Sequence, residues 1–198
     1  MGTDIFLYAE HRVNGRWTPV PEPAVTSWSD RKIVPLCPFD IGRPYELFSV
    51  LAGHSIGMRS ARTQVPAIST PRGFPKDLSD FYRKRFVRKS KPGNSDTEVS
   101  WLVVQELVNF DWDQPVLESA FVEPEFVGLF DDASPFPNSF PDDAKLYHDM
   151  FRTPSESTRK VQWATPLRQY VGCSEDFIRR LLSLGPPEDV RIIVWFDY

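Results

Sequence analysis

The segment Val190 to Tyr198 reads VRIIVWFDY, in which Ile192, Ile193, Val194, Trp195 and Phe196 follow one another without a polar break. A strand with one wet face alternates apolar and polar positions. An unbroken β-branched and aromatic run predicts a strand covered on both faces, inside a sheet. The predicted partner is the opening strand, Thr3 to Glu10. There Ile5, Leu7 and Ala9 alternate with Phe6, Tyr8 and Glu10, so one face is aliphatic and the other aromatic. Pairing of these two segments commits residues 1–198 to a single domain.

Further elements follow from local pattern. Asn14-Gly15 between Asp4–Arg12 and Arg16–Val20 predicts a β-hairpin, because a two-residue type I′ turn needs positive φ at both positions. Pro19, Pro21 and Pro23 stop the second strand, and a loop to Arg43 follows, anchored by Trp28, Ile33, Leu36 and Phe39. Pro44 to Ala52 reads as a helix with Tyr45, Phe48 and Leu51 or Ala52 on one stripe and Gly53 as its stop. The breakers Gly57, Pro66, Pro71 and Gly73 then predict a loop with one short strand around Val65 to Ile68. Ser79 caps a helix running to about Arg88, with Phe81, Tyr82 and Phe86 on its apolar side. Lys91 to Asn94 is a turn, and Val99 to Leu102 a short strand entering a helix that ends near Phe110. Ser174 caps the helix Glu175 to Leu184, with Phe177, Ile178, Leu181 and Leu182 as its buried stripe.

Between about Asp111 and Thr165 acidic residues and prolines dominate, with Phe121, Phe126, Phe130, Phe136 and Phe140 spaced among them. That density of phenylalanine is wrong for disorder. It predicts a long irregular excursion, 111–165, pinned to the body by its aromatics. The whole chain thus reads as α+β: a mainly antiparallel sheet holding both terminal strands, helices packed on it, and the acidic excursion.

Composition narrows the class. With 198 residues, 41% of them hydrophobic, the chain is long enough to bury a core, and 19 prolines against 10 glycines point to rigid, irregular connections. No run approaches the ~18 apolar residues of a membrane span. Cys37 and Cys173 are the only cysteines, and no basic segment with an apolar core opens the chain. Export and a disulfide framework are therefore not expected, and the protein is expected in the cytoplasm with free thiols.

MGTDIFLYAE, RPYELFSVLAG, PRGFP, SWLVVQEL with its following DW, and VRIIVWFDY together resemble a family of small uncharacterised proteins of bacteria, phages and large DNA viruses. Members open MGxDIH and close with a strand ending WFDN. The resemblance covers most of the chain as scattered islands and implies a host-cytoplasmic location if the source is viral. Asp4, Arg43, Arg72, Gly73 and Asp197 stand at matching positions. Phe6 replaces the histidine of the opening motif, and Thr97 to Leu102 replaces a histidine-rich HSHSWL, so three imidazoles are missing. A metal held by those segments in relatives is not expected here.

The candidate chemistry is correspondingly sparse. His11, His54 and His148 stand at no metal-ligand spacing from one another or from a cysteine, and no cofactor motif occurs, so neither metal nor cofactor is expected. Gly53-His54-Ser55 lacks the context of a nucleophile elbow. Asp4, Glu10 and Asp197 can gather where the terminal strands pair, with Arg43 or Arg72 supplying the opposite charge. This set, Asp4, Arg43, Arg72 and Asp197, is the candidate site of an unusual or degenerate hydrolase. The favoured reading of the same residues is an ion pair tying loop to sheet, because no phosphate loop or cofactor signature accompanies them.

Arg83, Lys84, Arg85, Arg88, Lys89 and Lys91 crowd one helix and its exit, whereas Glu106 to Asp149 carries acids almost without bases, within a net charge of −4. A basic helix beside Tyr82 and Phe86 suits an acidic macromolecular partner, protein in preference to nucleic acid, or the chain's own acidic segment. The leading expectation is a non-enzymatic binding or interaction protein docking through Arg83, Lys84, Arg85, Arg88 and Lys89. The alternative is the hydrolase.

Overall fold

The computed structural model describes residues 4–20, 45–53, 65–89, 98–148, 157–172 and 174–197, with the backbone alone for 4–6, 85–89, 98, 174, 196 and 197. Arg43, His54, Cys37, Cys173, Lys91 and the loop anchors Trp28 to Phe39 lie outside the described residues. The described residues fall into two compact units, one drawn from Met1–His54, Ala67–Phe110 and Cys173–Tyr198, the other from Ser55–Pro66 and Asp111–Gly172.

In the first unit, strands β1 (Asp4–Val13), β2 (Arg16–Pro19), β3 (Glu98–Val103) and β6 (Val190–Asp197) form a sheet in the order β2-β1-β6-β3, every neighbouring pair antiparallel. β6 therefore lies between β1 and β3, as its apolar run predicts. Register sets Asp4 opposite Asp197, Tyr8 opposite Ile193 and Glu10 opposite Arg191. The hairpin turn is the expected one, with Asn14 at φ 50° and Gly15 at φ 76°.

Both faces of β6 are covered. Ile193 and Trp195 belong to a buried cluster with Tyr8, Leu78, Tyr82 and Val99. Ile192 and Val194 face the opposite way, as strand alternation requires, and are equally buried. Helix α1 (Tyr45–Ala52) packs against β3 and β6, and α3 (Val104–Asn109) packs against β6 and α5 (Ser174–Leu182). Helix α2 (Asp80–Lys89) delivers Tyr82 to the cluster around Tyr8, the two rings 5.0 Å apart. Ser79 Oγ accepts the Tyr82 N–H, the cap that Ser79 predicts.

Several local expectations change. Val65 to Ile68 forms no strand; instead the Ile68 N–H bonds the Val50 carbonyl of α1 at 3.0 Å. Leu47 through Ala52 are all buried, so α1 has no single apolar stripe. On α2, Phe81 stays half exposed beside the buried Tyr82, and on α5, Leu182 is exposed whereas Phe177 and Leu181 are buried. A short helix packed on one side buries a narrower arc than its apolar residues span.

The second unit holds most of the expected excursion, and it is more regular than its composition suggests. Strands β4 (Pro115–Val122) and β5 (Arg159–Pro166) pair antiparallel over eight positions, and α4 (Leu167–Val171) follows β5. Phe130 and Phe136 meet Trp163 at 5.9 and 5.2 Å, and Phe140 packs on both of them. Phe126 joins through Phe140. These aromatics line the unit's own sheet, where Ala120, Val122, Val161 and Trp163 form the buried layer.

Candidate functional site

The most elaborate polar arrangement centres on Arg191, which stands next to the apolar run of β6. Its side chain is 1% exposed and that of Glu10 is 0% exposed. A buried guanidinium is tolerable only when charge and donors are matched. Here Nε donates to Glu10 Oε2 at 2.7 Å, and Nη2 lies 2.6 Å from the same oxygen. Nη1 donates to Asp77 Oδ1 at 2.6 Å, and Nη2 reaches the Asp77 carbonyl at 3.0 Å. Glu10 Oε1 accepts the Ser79 N–H, and Asp77 Oδ2 accepts the Trp17 indole N–H at 2.9 Å. The network ties β6, β1, β2 and the approach to α2 together.

Indole rings complete the arrangement. Arg191 lies 4.2 Å and Arg12 4.6 Å from the Trp17 ring centroid, and Arg191 also lies 5.9 Å from that of Trp101. Arg72 stands 5.2 Å from the Trp101 ring. Cations and indoles thus alternate from Arg12 to Arg72, each within the ~6 Å at which a ring quadrupole attracts a cation. Burial pushes the Asp77 carboxyl up, but the hydrogen bonds and charge of Arg191, with the Trp17 N–H, outweigh it and hold it below the ordinary range. With its donors committed and its face on Trp17, Arg191 is a structural lock.

Arg72 forms a second lock. Its Nη1 and Nη2 donate to Glu106 Oε2 and Oε1 at 2.8 and 2.6 Å, a bidentate fork, and Nη1 reaches the Trp101 carbonyl at 3.4 Å. The Glu106 carboxylate also accepts the Val103 N–H at the start of α3. The hydrogen bond from Arg72 is the main reason that Glu106 sits below the usual carboxylate range, and the bond to Glu106 likewise raises Arg72.

The predicted carboxylate cluster is therefore divided. Asp4 and Asp197 are register partners, but Glu10 lies six residues along β1, about 20 Å away at strand rise, and serves Arg191. Arg72 pairs with Glu106, which the sequence reading did not include, and Arg43 falls outside the described residues. Of the set Asp4, Arg43, Arg72 and Asp197 only the Arg72 side chain is described, and it is held in an ion pair with Glu106; the other polar locks are built from residues outside the set, Arg191, Glu10, Asp77, Trp17 and Trp101. An arginine beside the apolar run of an interior strand is the signal that points to them. Among the described residues, no group of three or more His, Cys, Asp or Glu side chains comes together to hold a metal ion.

On α2, Lys84 is exposed, Arg83 is exposed and donates to the Lys76 and Leu78 carbonyls, and Phe81 is 50% exposed. Arg85, Arg88 and Lys89 lie on the same helix. No described helix is long and apolar enough to cross a membrane. Comparison of the chain with models of known families, with curated proteins and with solved structures finds no match.

Proposed function

We propose that this chain is a non-enzymatic binding or interaction protein of the cytoplasm, and that α2 carries its docking surface for an acidic partner protein. The observation that supports this reading is the exposed juxtaposition of Phe81 and Lys84 on α2. Helical spacing sets positions 85 and 88 on the same stripe, both arginine. A half-exposed aromatic among cations offers an acidic partner both apolar contact and charge. The hydrolase reading on Asp4, Arg43, Arg72 and Asp197 has less support, because Arg72 is committed to Glu106.

Titration of the full chain with a labelled polyglutamate peptide and with a single-stranded oligonucleotide tests the proposal. Saturable peptide binding is expected, weakening as salt rises and lost in the Arg83→Glu/Lys84→Glu variant. Oligonucleotide binding with a steep salt slope would move the assignment to nucleic acid. Silence of both probes at low salt would remove α2 as a docking surface.

A further inference from the structure

Building on the reading of α2 as a docking surface, we propose that its recognition residues are Phe81 and Lys84, and that the partner segment they take carries a bulky apolar side chain beside its carboxylates. Phe81 is 50% exposed, yet its ring is held in place. It meets the Tyr82 ring edge-on at 5.3 Å and 72°, and Tyr82 is fully buried beside Tyr8. A ring backed by a buried ring is ordered before a partner arrives, so covering it costs little entropy and removes apolar area from water. A run of carboxylates alone cannot use that ring, because its π face is itself negative. An apolar side chain can.

The charges around Phe81 set where the partner's carboxylates belong. Lys84 is exposed three residues further along α2, so its Cβ lies about 5–6 Å from that of Phe81. Arg83 has a different task, since its Nη2 donates to the Lys76 and Leu78 carbonyls at 3.1 and 3.2 Å and fixes the approach to α2. Asp80, exposed in the first turn, precedes Phe81. An acidic segment is therefore attracted on the Lys84 side of Phe81 and repelled on the Asp80 side, and Arg85, Arg88 and Lys89 continue the cationic run. This charge pattern fits an apolar group over Phe81 with acids extending along α2 toward its C-terminal end.

Two short labelled peptides, titrated against the full chain at one low salt concentration, test this: a phenylalanine adjoining a run of glutamates, and the same peptide with serine for the phenylalanine. The phenylalanine peptide is expected to bind the wild type at least about tenfold tighter than the serine peptide. Phe81→Ser is expected to bring the two to equal affinity without changing that of the serine peptide, and Lys84→Ser to weaken both alike. Equal affinity of the two peptides for the wild type overturns the inference and leaves α2 a docking surface for charge alone. Failure of both to bind overturns the inference together with that surface. A folded Phe81→Ser that still prefers the phenylalanine peptide overturns the assignment of Phe81. If Phe81→Ser does not melt cooperatively, Phe81→Leu decides, because it keeps an apolar side chain while removing the ring: a smaller preference supports the proposal, and an undiminished one overturns it.

Discussion

Arg191 and Glu10 stand directly opposite each other on β6 and β1, 181 residues apart in the chain, and meet as a buried ion pair at 2.6 Å. The pair belongs to the interior of the sheet, so the free energy at stake is that of leaving one charge unmatched. Arg191→Met is expected to destabilise the protein by about 3–5 kcal/mol in chemical denaturation, because Glu10 would remain buried without its cation. The double variant Glu10→Gln/Arg191→Met should recover part of that loss. A double variant less stable than the single one would show that the pair contributes more than mutual neutralisation.

Acid should weaken the fold through two carboxylates. Asp77 and Glu106 are both held below their ordinary pKa by arginine partners. Below the ordinary carboxylate value of about 4 the unfolded chain therefore binds more protons than the folded one. Their contribution is complete above that value and is lost as pH falls through the lower folded values. Melting temperatures between pH 7 and pH 3 should decline at the acid end, and less steeply in Asp77→Asn/Glu106→Gln. Both carboxylates are partly exposed, so added salt should shrink the difference between variant and wild type.

Two glycines separate backbone strain from steric clash. Gly15 at φ 76° has open space where a Cβ would be, so Gly15→Ala should cost about 1–2 kcal/mol, the strain of a left-handed alanine. Gly53 at φ 70° ends α1, and a Cβ there would lie 2.3 Å from the Ser69 carbonyl oxygen. Gly53→Ala should therefore cost more than Gly15→Ala in the same denaturation assay. Equal losses would mean that the 69–71 segment moves aside freely.

Deletion of Val190 to Tyr198 should abolish cooperative folding. It removes the strand between β1 and β3, and with it Ile192, Ile193, Val194 and Trp195, all buried. Core truncations cost about 2–5 kcal/mol each for large side chains, against a total stability of roughly 5–15 kcal/mol. Differential scanning calorimetry of the deleted chain should show no transition, and a sharp one would place the strand at a frayed margin.

What the sequence determined by itself was the set of local and periodic features. The apolar run of β6 required cover on both faces, Asn14-Gly15 required a tight hairpin, and Ser79 marked the start of α2, because each depends on nearby residues alone. Antiparallel pairing of the two terminal strands was legible too, and with it the α+β class. The register was not read, although Arg191 in an interior strand demanded a buried acid and Glu10 was the acid on the partner strand. Only tertiary structure decided the rest. The partners of Arg191 and Arg72 come from a strand, a loop and the first turn of α3, tens of residues away, whose approach is set by packing. Asp77 and Glu106 carry no local sign of their role. The same holds for residues 111–165: spacing shows phenylalanines without period, and only the β4–β5 pairing sets Trp163 where Phe130 and Phe136 meet it. A site made of side chains that meet through long-range pairing has no sequence period to betray it.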